Sequence, residues 1–216
     1  MEKLLCPSMM CANYGNLGEE VEKLEEAGAD IFHIDIMDGQ FVPNFGMGLQ
    51  DVEFICKKAT IPVDAHLMIE NPGNYVEKFA KMGIKIIYIH PESDVHPTRT
   101  LQSVIDAGVT PGIAINPGTA VATIKPLLPF VKYVMVMSVN PGFAGQKYIS
   151  SVDEKIKELV ELKEEYGYEV MLDGACSPER VETLSKMGVK GFILGTSALF
   201  GKGKPYKELL DGLRAL

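Results

Sequence analysis

The sequence lacks the features that would direct a protein to nucleic acid or into a membrane. Basic residues are not in excess, since 21 Lys and Arg stand against 29 Asp and Glu and the net charge is -8. No run of about 18 apolar residues is long enough for a membrane helix, and the first residues lack the basic and apolar segments of a secretory signal. We therefore expect a cytoplasmic protein that binds neither nucleic acid nor membrane.

Cysteine and linker segments are also scarce. The four cysteines show neither the paired spacing of a metal finger nor the density of a disulfide-stabilised fold, so we expect reduced thiols. No stretch is long or polar enough to separate two domains. With 46% hydrophobic residues the chain can bury a sizeable core, and we expect residues 1–216 to form one domain.

What the sequence does contain is a repeated unit of a short apolar run, a loop, an amphipathic helix and a glycine. Parallel strands need helical crossovers, so eight such units predict a single-domain α/β fold, the (β/α)8 TIM barrel, with an open doubly wound sheet as the alternative. Glycines 28, 83, 108 and 188 suit left-handed helix ends. The expected strands cover residues 4–7, 31–36, 63–68, 86–90, 112–115, 133–137, 170–173 and 192–195.

Polar residues interrupt three of these strands. The stretch HIDIMDG places His33 and Asp35 among apolar neighbours, although burying a charge is costly unless it is paired or binds a metal. Residues two apart share one face of a strand, so His33 points with Asp35, and His66 points with Asp64, while Asp173 ends another strand. Reactive groups of a barrel lie at the carboxyl ends of its strands, which predicts that these side chains converge.

Imidazoles and carboxylates together favour one divalent metal ion of the borderline kind, Zn, Mn, Fe or Co. Mg, which prefers oxygen ligands, is less suited. The alternative, that each residue is a hydrogen-bonded core residue, stays open at this point. His90 ends the fourth strand and is expected to line the mouth of the barrel.

Three glycine-rich loops follow the last three strands, with the sequences VNPGFAGQ, DGACS and GTSALFGKG. Backbone N–H groups in such loops can surround an anion, and barrels commonly bind phosphate after strands seven and eight. The loops therefore favour a phosphate site. The alternative is that their glycines and prolines only form turns, as they do in loops that bind no ligand. Met37, Met68 and Met137 fall at strand ends, either as core filler or as the wall of a reaction centre.

The whole chain resembles the ribulose-phosphate 3-epimerase superfamily. The matching phrases, in order, are CPSMM, HIDIMDGQFVPN, DAHLMIENP, NPGT, MSVNPGFAGQ and LDGACS. The resemblance implies a metal-dependent ketose-phosphate 3-epimerase that inverts C3 of a phosphorylated 2-ketose through an enediolate, with Asp35 and Asp173 as the two acid/base groups. It also implies a homo-oligomer.

The resemblance further assigns residues to the site. It implies that the metal is bound by His33, Asp35, His66 and Asp173. It implies that the substrate contacts Ser8, Met37, Met68, Met137, Gly142, Phe143, Ala144, Gly145, Gly174, Ala175, Gly195, Thr196 and Ser197.

Several phrases look like the allulose-6-phosphate 3-epimerase branch, among them PSMMC, HPE, DGAC and GTSALF. We therefore expect D-allulose 6-phosphate and D-fructose 6-phosphate as substrates, with D-ribulose 5-phosphate and D-xylulose 5-phosphate as the alternative. A phosphosugar decarboxylase on a similar barrel is a further alternative, but the lysine typical of its third strand is absent from DAHLMI. A non-catalytic sugar-phosphate sensor would need the phosphate loops but not the acid/base pair.

Overall fold

The computed structural model describes residues 3–216, and these fold into eight parallel strands that alternate with helices around a barrel. The strands are β1 Leu4–Pro7, β2 Phe32–Met37, β3 Val63–Met68, β4 Ile86–Ile89, β5 Thr110–Ile115, β6 Tyr133–Met137, β7 Glu169–Asp173 and β8 Gly191–Leu194. Hydrogen bonds connect them in the order β1-β8-β7-β6-β5-β4-β3-β2, and a bridge between Ser8 and His33 joins the two ends of this order, β1 and β2. This is the expected (β/α)8 barrel.

The helices pack around the outside of the barrel. Most have seven to fifteen residues, but the fifth has only four and continues as a 3-10 helix over Lys125–Phe130. Gly28, Gly83, Gly108 and Gly188 all have positive φ angles, as predicted for the helix ends. The helices are α1 Leu17–Glu26, α2 Leu49–Lys58, α3 Val76–Met82, α4 Pro97–Asp106, α5 Val121–Ile124, α6 Val152–Tyr166, α7 Pro178–Met187 and α8 Tyr206–Ala215.

Two apolar layers hold the barrel together, because alternate residues of each strand face opposite sides. The larger layer lies between strands and helices and includes Ile34, Leu67 and Val136. The smaller layer fills the barrel interior and includes Tyr88 and Met135. The interior is therefore a packed core, and room for a ligand is left only at its ends.

The strand boundaries differ from the expected ones by at most two residues. β5 begins at Thr110 rather than at residue 112, because Thr110 and Pro111 already pair with β4. β4 ends at Ile89, so His90 belongs to the loop that follows it. None of the helices formed by residues 3–216 has the length and apolar character needed to cross a membrane.

The interior packing makes Gly112→Ala a test of the barrel. A Cβ atom at Gly112 would lie 2.5 Å from Cδ1 of Tyr88, a fully buried ring. Overpacking of this kind costs about 1–3 kcal/mol, so we expect the free energy of unfolding in urea to fall by that amount. Gly118→Ala is the matched control, since a Cβ atom there meets nothing within 4 Å; equal losses in both variants would contradict the proposed packing.

Candidate active site

Strand register brings the polar side chains of β2 and β3 together at one end of the barrel. Asp35 pairs with His66, and two residues further along Met37 pairs with Met68. On the other side of the barrel Asp173 ends β7. Each residue lies near the carboxyl end of its strand, where barrel enzymes place their reactive groups.

The four expected ligands form one cluster. His33, Asp35, His66 and Asp173 each offer a ligand atom, and these atoms lie within 4.8 Å of one another. Nδ1 of His66 is 3.2 Å from Oδ1 of Asp35 and 3.6 Å from Oδ2 of Asp173. Nε2 of His33 is 3.3 Å from the same Oδ1 of Asp35. The sequence prediction that these residues converge is therefore confirmed.

The donor set and its burial fit a divalent metal ion. His33 and His66 are fully buried, and Asp35 is only 5% exposed. Neither ring nitrogen of His33 has a hydrogen bond of acceptable geometry in the described part of the chain, and an orphaned buried nitrogen is costly. Two nitrogen and two carboxylate ligands suit Zn, Mn, Fe or Co.

Two further side chains contact the cluster, Asp64 from the barrel interior and Ser8 from the side of the cleft. Oδ1 of Asp64 lies 2.7 Å from Nδ1 of His33, a short contact whose angles fall outside those of a regular hydrogen bond. The hydroxyl of Ser8 donates to Oδ2 of Asp35 at 2.7 Å. Ser8 thus fixes one oxygen of Asp35 and leaves the other facing His33 and His66.

The surroundings of Asp35 and Asp173 shift the pKa values of the two carboxylates in opposite directions. Burial acts to raise the pKa of Asp35, but His33 and His66 outweigh burial and hold that pKa below its usual range. Burial raises the pKa of Asp173, and the adjacent Asp35 raises it further. A pair of carboxylates with separated pKa values can hold one proton between them, as an acid and a base must.

A cleft at this end of the barrel contains every residue that the sequence analysis assigned to the substrate. Asp35 and Asp173 lie in the cleft wall, whereas His33 and His66 are covered by other side chains. The assigned substrate residues that line the cleft are Ser8, Met37, Met68, Met137, Gly142, Phe143, Ala144, Gly145, Gly174, Ala175, Gly195, Thr196 and Ser197.

The loop after β7 needs its unusual backbone. Gly174 has a φ of 99°, and a Cβ atom there would lie 2.6 Å from Cγ2 of Val139. Ala175 follows with a φ of 46°, a left-handed conformation that few non-glycine residues adopt. The backbone N–H of Ser138 donates to the carbonyl of Asp173 and its hydroxyl donates to the carbonyl of Gly174, so that Ser138 holds this turn against β6.

Several residues of the site were not predicted from the sequence. Met10, Cys11 and Gln146 also line the cleft. The expectation that His90 lines the mouth was wrong: its side chain is fully buried behind His66, with 2.8 Å between the two Nε2 atoms. Its position after β4, the strand next to β3, was the signal that could have placed it beside His66.

Fold and site together define a (β/α)8-barrel enzyme with a buried His and Asp cluster at the floor of its cleft. Residues 4–200 match the Ribulose-phosphate 3 epimerase family. The chain belongs to this family, and it is accordingly an isomerase of the epimerase type.

Known relatives are similar over nearly the whole chain. The ribulose-phosphate 3-epimerase of Aquifex aeolicus is 38% identical over 92% of this chain and 90% of its own length. The enzyme of the same name from Bacillus subtilis is 38% identical over 96% of both chains. A tryptophan synthase α-subunit from Pyrococcus furiosus superimposes with a TM-score of 0.72 over 99% of this chain and 98% of its own, but at 15% identity it supports the fold alone.

Proposed function

We propose that the protein is a metal-dependent ketose-phosphate 3-epimerase that interconverts D-ribulose 5-phosphate and D-xylulose 5-phosphate. The observation that carries this proposal is the cluster of His33, Asp35, His66 and Asp173, which presents two carboxylates from different strands to one cleft. Inverting a carbon beside a carbonyl needs one group to remove a proton and another to return a proton from the opposite face. Two separately placed carboxylates meet that need.

Asp35 and Asp173 are the groups that we assign to proton transfer. In one direction one carboxylate takes the proton from C3 while the other, already protonated, delivers its proton to the opposite face; the reverse reaction exchanges their roles. Ser8 keeps the Asp35 carboxylate in one orientation through the hydrogen bond to Oδ2. A fixed base loses less freedom on reaching the transition state.

The divalent ion would be held by the same two aspartates together with His33 and His66. When bound, it would act as a Lewis acid that stabilises negative charge on the substrate oxygens. Asp64 lies behind His33 and is fully buried. A carboxylate in that position orients an imidazole ligand and raises its basicity.

The three glycine-containing loops are the phosphate site in this proposal. Among the described residues, the backbone N–H groups of Gly145, Ala175 and Ser197 donate to no protein acceptor. All three residues line the cleft. Unused N–H groups on separate loops can surround a phosphate without any basic side chain, which suits a protein of net charge -8.

We propose a pentulose phosphate as the substrate, and not the hexulose phosphate that the short phrases of the sequence favoured. The Aquifex and Bacillus relatives carry the name ribulose-phosphate 3-epimerase. The chloroplast relative from Arabidopsis thaliana, 38% identical over 98% of this chain, is named a ribulose-5-phosphate 3-epimerase. The phrases that resemble the allulose branch cover only a few residues each, whereas these relatives match more than nine tenths of the chain.

Kinetics on metal-reconstituted protein test this proposal. We expect kcat/KM for D-ribulose 5-phosphate to exceed that for D-allulose 6-phosphate by at least tenfold, with deuterium from the solvent incorporated at C3 of the product. A preference for allulose 6-phosphate would reverse the choice of substrate. Release of CO2, or binding without exchange at C3, would replace the epimerase by a decarboxylase or a sensor.

A further inference from the structure

A second imidazole lies directly behind one of the proposed metal ligands. His66 has two ring nitrogens, and Nδ1 faces the carboxylates of Asp35 and Asp173. Its other nitrogen, Nε2, lies 2.8 Å from Nε2 of His90. Both rings are fully buried and stack with 5.0 Å between their centroids. His90 does not line the cleft, so its position has no explanation in substrate binding.

The contact between the two rings constrains where their protons lie. A hydrogen bond between two imidazole nitrogens needs a proton on one of them and a lone pair on the other. If Nδ1 of His66 binds a cation, that nitrogen carries no proton, and the neutral ring carries its proton on Nε2. His90 must then accept at Nε2 and carry its own proton on Nδ1.

The surroundings of His90 favour that same tautomer. Nδ1 of His90 faces Oε2 of Glu92 at 3.5 Å, close to but longer than a regular hydrogen bond. The ring of Phe41 lies against His90 with 4.8 Å between centroids. A carboxylate beside Nδ1 favours a proton on that nitrogen, so His90 is kept as an acceptor toward His66.

Glu92 is itself fixed by the neighbouring loop. Its Oε1 accepts hydrogen bonds from the backbone N–H of Asn116, at 2.9 Å, and from the hydroxyl of Thr119. Lys155 on α6 donates to the carbonyls of Asn116 and Pro117 at 2.7 and 2.8 Å. The arrangement behind His66 therefore extends from β4 through the loop after β5 to a helix.

We propose that His90 is a positioning residue, which accepts the Nε2 proton of His66 and, backed by Glu92, holds the unprotonated Nδ1 of His66 toward the divalent cation. This inference rests on the metal site of the proposed function. His33 and His66 are thus supported differently, since His33 has the carboxylate of Asp64 beside it, whereas His66 reaches the carboxylate of Glu92 only through His90. Residues behind metal ligands typically change affinity 10- to 100-fold when they are altered.

Zinc affinity of the metal-free protein, measured by competition with a chromogenic chelator, tests the role of His90. His90→Phe keeps an aromatic ring against Phe41 but removes the acceptor, and we expect zinc affinity to fall 10- to 100-fold. His90→Gln offers an amide oxygen to His66, and we expect it to recover most of the affinity. Ser93→Ala is the matched control, because it removes a buried hydrogen bond to the carbonyl of His90 without touching its ring; we expect a change below threefold.

A second measurement on the unaltered protein needs no variant to fold. The chain has four histidines, and long-range ¹⁵N–¹H correlation spectra distinguish their tautomers. In the zinc-bound protein we expect the proton of His66 on Nε2 and that of His90 on Nδ1. A proton on Nε2 of His90 would overturn the inference, as would unchanged zinc affinity in a folded His90→Phe variant.

The outcomes separate this inference from the proposed function. If the unaltered protein bound none of zinc, manganese, iron and cobalt, both the metal-dependent function and the positioning role of His90 would be contradicted, since there would be no metal ligand to position. If the unaltered protein binds metal and is active, but His90→Phe has the same zinc affinity, only the positioning role of His90 would be contradicted.

Discussion

Replacement of Asp173 by asparagine is expected to lower kcat for epimerisation by about 10²- to 10⁴-fold, the usual contribution of a general acid/base. Asparagine has nearly the same shape and can still offer an oxygen to a metal, but it cannot take up or release the proton. Asp173 lies in the cleft wall at the end of β7. Because its proton is transferred only in the chemical step, we expect the loss to fall on kcat more than on KM. Steady-state kinetics on metal-loaded Asp173→Asn, with bound metal measured in parallel, give the result.

Asp38→Asn is the matched control for that experiment. Asp38 lies three residues beyond Asp35, and its carboxylate accepts backbone hydrogen bonds from Gln40, Phe41 and Glu70 without lining the cleft. We expect its turnover to stay within threefold of the unaltered protein. Near-normal turnover of Asp173→Asn with metal bound would eliminate the two-carboxylate mechanism, whereas equal losses in both variants would point to a general disturbance of the loops.

The barrel could be predicted from the sequence because its units repeat. Each apolar run was followed by an amphipathic helix and a glycine, and only a closed or doubly wound parallel sheet accommodates that order. The cluster of His and Asp side chains was predictable for a related reason. His33 and Asp35 share one face of β2, so alternation along the strand placed them together before the register with β3 was known.

The sequence did not predict the contacts of His66 with His90 and of His90 with Glu92. His90 immediately precedes a 3-10 helix of three residues, Pro91–Ser93, which contains Glu92. So short an element has no periodicity that would indicate where its side chains point. Their contacts depend on β4 lying next to β3 and on the fold of the loop after β5. The short phrases that resemble the allulose branch did not determine the substrate either. A few altered residues, such as Ala175, do not decide whether a five- or six-carbon sugar fits.

Removal of divalent metal is expected to reduce epimerisation to below about 1% of the reconstituted level, because the Lewis acid contributes several kcal/mol to such a step. We expect recovery with zinc, manganese, ferrous iron or cobalt, and poor recovery with magnesium, which prefers oxygen to the imidazoles of His33 and His66. Metal at 100 times its Kd should also stabilise the fold by about 2.7 kcal/mol, which urea unfolding measures without reference to activity. Rigorously metal-free protein with full turnover and unchanged stability would show that the four side chains act without an ion, whereas stabilisation without recovery of turnover would restrict the ion to a structural role.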